Sequence, residues 1–256
     1  MRSHFVLGAG KMTQAIFIGL SQKIDGRSFT FYTPSMTSAK DLASQTNGNF
    51  SKDIPDHIEA DFLWLGLKPQ GLESLRGLGE QISSKTIVIS MLAAIDEKTQ
   101  MDILGVKKLI RVMPNLPVKY NQGVTLIASE SAPEALEEVC DLFNLVGEGH
   151  ILSENDLEKL TLLTGSGPAF IYEFIKILSS HFDHANAEAL VRSVLLGSAE
   201  TVKNEDSSLQ KLIDSVTSKG GVTIAVLNKW RENGLSDLVA AGIMSGKARS
   251  AELNQK

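Results

Sequence analysis

The chain has 256 residues, of which 43% are hydrophobic and 21% charged, and its formal net charge is −5. This composition is typical of a soluble globular protein with one large or two ordinary domains. The acidic balance argues against a nucleic-acid partner, which usually requires a basic face. The single cysteine excludes an intramolecular disulfide, and no cluster of cysteines and histidines suits a metal site.

Targeting and membrane signals are also missing from the sequence. No run approaches the roughly 18 apolar residues that a membrane helix needs. The N-terminus enters a strand candidate directly, without the charged and then apolar segments of a signal peptide. We therefore expect a cytoplasmic protein that does not bind a membrane.

Short apolar runs alternate with amphipathic segments in the first part of the chain. The strand candidates are residues 4–7, 29–32, 61–67, 86–90, 108–112 and 124–128. The helix candidates between them are residues 11–21, 38–45, 71–81 and 133–143. This alternation predicts an α/β fold with a parallel, doubly wound sheet.

The pattern changes near Ser153, after which no convincing strand follows. Ser153 and Asp156 have the spacing of a helix start. The helix candidates from there on are residues 157–163, 169–182, 187–202, 209–216, 223–232 and 236–253. We predict two domains, a dinucleotide-binding α/β domain over residues 1–152 and an all-helical domain over residues 153–256.

The first strand ends in a glycine turn, residues 8–10 (Gly-Ala-Gly), which opens the first helix. Glycines at such a turn let backbone N–H groups approach a pyrophosphate, and the helix N-terminus adds a favourable partial charge. The position of the turn favours a Rossmann-type dinucleotide site over a plain tight turn. Thr13 departs from the full fingerprint, which has glycine or alanine at this position.

The end of the second strand bears on the choice of cofactor. NAD-preferring sites usually place an acidic residue here for the ribose hydroxyls, and none is present. Thr33 and Ser35 offer hydroxyl groups that suit a 2′-phosphate, and Lys11 and Lys40 are candidate charge partners. NADP(H) is favoured, and NAD(H) is left open because no arginine accompanies these residues.

Four further segments, together with the glycine turn, resemble pyrroline-5-carboxylate reductase in order and spacing over essentially the whole chain. They are residues 66–70 (GLKPQ), 111–117 (RVMPNLP), 165–169 (GSGPA) and 216–223 (VTSKGGVT). The resemblance implies an enzyme that reduces 1-pyrroline-5-carboxylate, a small imino acid, to L-proline with NAD(P)H, the last step of proline biosynthesis. It also implies a homodimer or higher homo-oligomer in which the helical domain is the dimerisation domain.

The resemblance further implies roles for particular residues. The expected cofactor contacts are Gly8, Gly10, Lys11, Met12, Thr33, Ser35, Leu67, Lys68, Pro69, Ala93 and Asn115. The expected substrate-positioning residues are Ser218, Gly220, Gly221 and Thr223. The chain departs from the family's common pattern with Ala94 for glycine, Lys219 for proline, Asp53 for asparagine and Arg192 for glutamine.

The 218–223 loop also suits a carboxylate on its own chemistry. Two successive glycines allow backbone N–H groups to converge on an anion, and Ser218 and Thr223 supply hydroxyl groups. The helix that begins near Thr223 adds the partial charge of its N-terminus. A helix–helix turn punctuated by glycine is the alternative.

An imine arrives protonated, so orientation and electrostatics suffice and no general acid is required.

Two features of the interdomain region are interpreted from the sequence. Pro168 interrupts a helical pattern after Gly165 and Gly167, which predicts a kink that lets the helix pass close to the nicotinamide; a structural packing contact between helices through small residues is the alternative. Arg111 is interpreted as a partner of a buried acid and is given no catalytic role.

Two other functions stay open at this point. A β-hydroxyacid-type dehydrogenase resembles this chain in its two-domain plan, but it uses a lysine followed one turn later by asparagine. Here Lys159 is followed by Leu162 and Leu163, so the proton donor that a carbonyl substrate needs is not found. A non-catalytic NAD(P)-binding regulatory protein is the other alternative, motivated by the departures at Thr13, Ala94 and Lys219.

Overall fold

A computed structural model of the chain describes residues 2–254. Its strands are β1 (His4–Leu7), β2 (Phe29–Tyr32), β3 (Asn49–Phe50), β4 (Phe62–Leu65), β5 (Ile87–Ser90), β6 (Leu109–Pro114), β7 (Gly123–Ala128) and β8 (Gly147–Ile151). Its α-helices are α1 (Lys11–Leu20), α2 (Thr37–Thr46), α3 (Glu97–Leu104), α4 (Leu136–Asn144), α5 (Glu154–Ser179), α6 (Ala187–Asn204), α7 (Leu209–Ser215), α8 (Val222–Glu232) and α9 (Leu235–Asn254).

All eight strands form one sheet in the order β3-β2-β1-β4-β5-β6-β7-β8. The strands from β1 to β6 are parallel, which confirms the predicted doubly wound sheet. Strands β7 and β8 run in the opposite direction, because β7 pairs antiparallel with β6 and β8 pairs parallel with β7. Residues 115–122 join β6 to β7, and this connection is shorter than the dozen or more residues that a parallel crossover needs.

The two faces of the sheet are covered by separate apolar clusters. Val6 packs into a cluster rich in aromatic rings, whereas its neighbours Phe5 and Leu7 pack into a leucine-rich cluster on the other face. This alternation follows from the two-residue period of a strand. Strand β1 is buried on both faces, whereas β2 alternates buried phenylalanines with half-buried residues, and both patterns made the strand bounds predictable from the sequence.

A buried histidine lies within the aromatic cluster. His4 is 2% exposed, and its Nδ1 accepts a hydrogen bond from the Trp64 indole N–H at 3.1 Å. Burial lowers the pKa of His4 from 6.5 to about 4, because the charged ring loses its hydration. The imidazole is therefore neutral in the folded protein at neutral pH.

This shift makes the free energy of unfolding depend on pH. Since the unfolded chain takes up the proton first, the contribution of neutral His4 is complete above pH 6.5 and is lost as the pH falls from 6.5 towards 4. Each pKa unit corresponds to about 1.4 kcal/mol, so we expect His4 to account for about 2 kcal/mol of destabilisation between pH 7 and pH 5. Urea unfolding at the two pH values measures this loss.

The change His4→Gln keeps an acceptor for Trp64 and is expected to remove that share of the loss. The matched control is His57→Gln, because the side chain of His57 is 61% exposed. An unchanged pH dependence in His4→Gln would show that the buried ring is not its source.

Several predicted elements differ from the structure. Residues 71–81 were expected to form one helix, but they form parts of two 3-10 helices, Pro69–Leu75 and Leu78–Gln81, separated by Gly77 with a φ of 77°. The expected helices 157–163 and 169–182 are one continuous helix, α5, which contains Pro168. Helix α3 and strands β3 and β8 were not predicted. The predicted helix start at Ser153 is confirmed, because Ser153 Oγ accepts from the Asp156 N–H at 3.2 Å.

The chain divides into two compact units, Met1–Pro168 and Ala169–Lys256. The predicted boundary at residue 152 lies just before α5, and it stays a prediction; its outer ends, residue 1 and residues 255–256, lie outside the described residues. Among the described residues of the second unit, only Ala187 and Val191 are buried. Large apolar side chains there are exposed instead, including Tyr172, Leu190 and Val194. A helical unit with so little core of its own needs a partner surface.

Candidate active site

The predicted cofactor residues of the first unit lie at one edge of the sheet. They follow the carboxyl ends of β1, β2, β4, β5 and β6, which meet at the same edge because these strands are parallel. The chain crosses from one side of β1 to the other between β3 and β4, so the crevice of a doubly wound sheet opens next to the β1 turn. The geometry therefore places the glycine turn where such folds bind nucleotides.

The glycine turn is held against the end of β4. Gly8 has a φ of 103°, and a Cβ atom there would overlap with the carbonyl oxygen of Gly66. Gly8 N–H donates to Tyr32 O at 2.9 Å, and Gly66 N–H donates to Leu7 O at 2.8 Å. Only glycine combines this backbone conformation with so close an approach of two backbone segments.

Thr13 is accommodated by a glycine on the opposite side of the contact. Thr13 is 1% exposed, and a Cβ atom at Gly66 would overlap with Thr13 Oγ1. In the usual fingerprint the third glycine or alanine lies on the helix and allows close packing of helix and strand. Here the missing side chain is on the β4 turn, so the departure at Thr13 does not push α1 away from the sheet.

The N-terminus of α1 is left open to solvent. Gly10 is the N-cap residue, no side chain among the described residues caps this end, and the first turn carries no acidic residue. Gly10 and Lys11 are exposed and Met12 is half-buried. Because the first N–H groups of a helix have no intrahelical acceptor, this end can bind an anion.

The end of β2 contains a hydroxyl group without a partner. Thr33 is 8% exposed, and its buried Oγ1 has no hydrogen-bond partner in the described part of the chain. Ser35 is exposed two residues later, whereas the Lys40 ammonium lies 5.2 Å from the centre of the Phe50 ring. An unpaired buried hydroxyl is costly, which fits a site that receives an acceptor from a ligand. The residues present thus suit a nicotinamide dinucleotide.

The turns after β4 and β5 complete this edge. Lys68 is exposed at the start of a 3-10 helix, while Leu67 packs against the leucine-rich cluster and Pro69 is half-buried. Ala93 is exposed. Ala94 has a φ of 59°, which explains why glycine is common at this position. The alanine holds a left-handed conformation that costs roughly 1 kcal/mol or more.

Two polar residues contact α5, Arg111 within β6 and Asn115 directly after it. Arg111 is fully buried, where it pairs with Glu154 and with Glu158 at 2.8 Å. The predicted pairing with an acid is therefore confirmed, and the lack of a catalytic role stays a prediction. Asn115 Nδ2 donates to Thr164 O at 3.0 Å, and its Oδ1 accepts from the Val124 N–H at 2.9 Å. The expected cofactor contact of Asn115 stays a prediction, and its side chain is largely committed within the protein.

The expected substrate loop lies in the helical unit. Gly220 has a φ of 72° in a turn closed by the Gly221 N–H donating to Ser218 O at 3.0 Å. Gly221 is the N-cap of α8, where no side chain of the described residues caps the helix and no acid occurs in the first turn. Ser218, Lys219 and Thr223 are exposed at this end. The N-terminus of α8 can therefore attract a small anion.

Other chemistries find little support in the structure. Lys159 is 63% exposed and lies 3.6 Å from Asp156, so it is not buried in a position to donate a proton to a carbonyl substrate. In the described part of the chain, no group of three or more acidic, histidine or cysteine side chains could hold a metal ion. Residues 2–254 also include no helix that is long and apolar enough to cross a membrane.

Two contributions to this edge are not evident from the sequence. Gly66 was recognised only as part of a motif, although it makes room for both the glycine turn and Thr13. The carbonyl of Thr164 was not noticed at all. Its signal was Pro168, because a proline inside a helix deprives the carbonyl four residues earlier of its hydrogen bond.

Comparisons with known proteins agree with this arrangement. Residues 154–253 match the family described as "Pyrroline-5-carboxylate reductase dimerisation", and residues 5–94 match "NADP oxidoreductase coenzyme F420-dependent". The first match, together with the exposed apolar side chains of the helical unit, indicates a homo-oligomer.

Two relatives that are at least 30% identical over nearly the whole chain are named pyrroline-5-carboxylate reductase. The chain is 31% identical to a pyrroline-5-carboxylate reductase of Staphylococcus saprophyticus, with 97% of each chain covered. It is 30% identical to one of Methanosarcina acetivorans, covering 98% of this chain and 97% of the relative. The crystal structure of the Streptococcus pyogenes enzyme of that name is 28% identical, with a TM-score of 0.84 over 100% of this chain and 99% of the other. The chain therefore belongs to the pyrroline-5-carboxylate reductase family.

Proposed function

We propose that the protein reduces 1-pyrroline-5-carboxylate to L-proline with NAD(P)H. One observation carries the proposal. This member of the reductase family has an uncapped helix N-terminus suited to a dinucleotide in the first unit and a second one suited to a small anion in the helical unit. A β-hydroxyacid dehydrogenase and a non-catalytic regulatory protein are not favoured, because the full-length relatives are reductases of the cyclic imine by name.

The first unit would hold the nicotinamide cofactor, which supplies a hydride when it is bound. Gly8, Gly10, Lys11 and Met12 present the backbone of the β1 turn and the N-terminus of α1 to the pyrophosphate. Leu67, Lys68, Pro69 and Ala93 belong to the turns along the same edge and are proposed to line the nicotinamide pocket. Asn115 lies on this edge too, with its amide bonded to Thr164 and Val124.

NADP(H) is the proposed cofactor in preference to NAD(H). The buried Thr33 hydroxyl has no partner in the described part of the chain, and Ser35 is exposed beside it. No acidic residue stands at the end of β2 to bind ribose hydroxyls and repel a 2′-phosphate. Affinity for NADPH and NADH, measured side by side on the purified protein, tests this preference.

The helical unit would hold the substrate carboxylate. Ser218, Gly220, Gly221 and Thr223 are proposed to bind it through backbone N–H groups and two hydroxyls at the start of α8. Orientation of the imine by its carboxylate, next to the hydride donor, is the main demand of the reaction, since a protonated imine accepts hydride without a further acid. We propose a homodimer as the smallest assembly, formed through the apolar helices of this unit.

The change Thr223→Ala tests the substrate site. We expect the KM for the imino acid to rise by an amount equivalent to roughly 1–3 kcal/mol, the value of a hydrogen bond to a charged group, with NADPH affinity nearly unchanged. Steady-state kinetics and cofactor titration measure the two quantities. The matched control is Thr201→Ala. Thr201 is an exposed residue of α6 whose hydroxyl donates only to the Gly197 carbonyl of its own helix in the described part of the chain. Equal losses for cofactor and substrate would contradict the assignment.

A turnover assay tests the function itself. Purified protein mixed with NADPH or NADH and pyrroline-5-carboxylate should oxidise the cofactor while proline accumulates. Cofactor binding without turnover would favour the regulatory alternative.

A further inference from the structure

Strand β6 and the residue that follows it present three alternating side chains to helix α5. Arg111 pairs with Glu154 and Glu158, and Met113 shares an apolar cluster with Leu157. Asn115 then contacts the backbone further along the same helix. Because residues two apart on a strand face the same side, the Arg-x-Met-x-Asn pattern directs charge, apolar surface and amide to one helix. Val112, between them, packs into the aromatic cluster on the other face.

Asn115 joins three elements at the carboxyl end of β6. Its side-chain N–H group donates to the Thr164 carbonyl at 3.0 Å, and its side-chain oxygen accepts from the Val124 N–H at 2.9 Å. The residue is 6% exposed. Its amide therefore ties the end of β6 to the start of β7 and to the third turn of α5.

The Thr164 carbonyl is available because of Pro168. In an α-helix this carbonyl would accept from the N–H of residue 168, but proline has no N–H. The helix nevertheless continues from Glu154 to Ser179. The amide of Asn115 supplies the donor that the proline lacks, so the two residues compensate for each other across the strand and the helix.

We propose that Asn115 is a positioning residue, which acts on the reaction by fixing the Thr164–Pro168 turn of α5 over the edge where the cofactor binds. The inference rests on the proposed function and gives Asn115 an indirect role in place of a direct cofactor contact. It accounts for the co-occurrence of the Met-Pro-Asn and Gly-Ser-Gly-Pro runs, because the asparagine of one satisfies the carbonyl that the proline of the other releases.

A double-mutant cycle with Asn115→Ala and Pro168→Ala tests the proposal. In the natural background, Asn115→Ala leaves the Thr164 carbonyl without a donor, and we expect kcat to fall about tenfold or more with NADPH affinity within about twofold. In the Pro168→Ala background, the alanine introduces a backbone N–H that replaces the lost donor. There we expect Asn115→Ala to lower kcat by less than about threefold.

Each outcome of the cycle decides the matter. A loss of NADPH affinity that is equal in both backgrounds would mean a direct cofactor contact and would overturn the proposal, while leaving the reductase function intact. Lowered thermal stability with unchanged kcat would reduce Asn115 to a purely structural residue and would also overturn it. If Asn115→Ala alone cannot be purified, a folded and active double variant supports the coupling, and a double variant that also fails contradicts it. Absence of turnover in the natural protein would instead refute the proposed function.

Discussion

Replacing Arg111 with methionine is expected to lower the free energy of unfolding by about 3–4 kcal/mol. The guanidinium is fully buried, and its removal leaves Glu154 and Glu158 facing each other without a countercharge. Breaking a buried ion pair by removing one partner costs about 3–5 kcal/mol. We expect the lower part of that range because the two carboxylate side chains are 20% and 31% exposed and keep some hydration. Denaturant unfolding at neutral pH measures the loss.

The structure provides a matched control for burial. Arg2 also pairs with two carboxylates, Asp61 at 2.9 Å and Glu138 at 2.5 Å, but its side chain is 57% exposed. Since exposed ion pairs contribute little, Arg2→Met is expected to cost less than about 1 kcal/mol.

A rescue separates charge from packing at the same site. Adding Glu154→Gln and Glu158→Gln to Arg111→Met removes the uncompensated charges, and we expect the triple variant to regain at least half of the lost stability. Similar losses in the single and triple variants would show that the methionine packs badly and that charge is not the cause.

Replacing Gly66 with alanine is expected to destabilise the protein by roughly 3 kcal/mol and to weaken cofactor binding. The new Cβ would overlap with Thr13 Oγ1 and would lie 3.2 Å from both Gly8 O and Met91 Cε. Thr13 is β-branched and buried in α1, so it has few alternative rotamers. Helix α1 would have to move, and the glycine turn would move with it. The cost lies at the upper end of what overpacked sites usually show.

The second substitution Thr13→Ala should reverse most of this damage. Alanine restores the residue type that the dinucleotide fingerprint usually has at this position and removes the overlapping hydroxyl. We expect Thr13→Ala alone to cost about 1 kcal/mol and the double variant to be more stable than Gly66→Ala by about 2 kcal/mol. NADPH affinity should recover in parallel. Additive losses in the double variant would contradict the reciprocal packing of these two positions.

The sequence predicts the nucleotide half of the fold well, because its central strands are buried on both faces. Strands β1 and β2 have the predicted bounds, since Phe29 and Phe31 follow a strand period between clear turn signals. Strand β8 was missed because Gly147 and Gly149 read as a turn, and β3 because it has only two residues. The direction of β7 depends on the length of its connection to β6, which becomes visible only when the ends of both strands are known.

The candidate site was predictable only where chemistry follows from neighbouring residues. The glycines at residues 8 and 10 and those of the loop before α8 indicate exposed backbone N–H donors. Each of these two glycine segments lies at a helix N-terminus. Long-range compensation was not predictable in the same way. Pro168 signals that the Thr164 carbonyl is free, but nothing local identifies Asn115 as its donor or Gly66 as the position that makes room for Thr13, because these partners are brought together only by the folded sheet.

Transfer of an isotopic label shows whether the cofactor delivers its hydride to the imine carbon. NADPH that carries deuterium at the transferable C4 position of its nicotinamide is incubated with the protein and unlabelled pyrroline-5-carboxylate, and the product is examined by mass spectrometry and NMR. Direct hydride delivery predicts that the deuterium appears on the ring carbon that was doubly bonded to nitrogen, in proportion to the cofactor oxidised. Oxidation of the cofactor without deuterium in proline would contradict direct hydride transfer from NADPH to the imine.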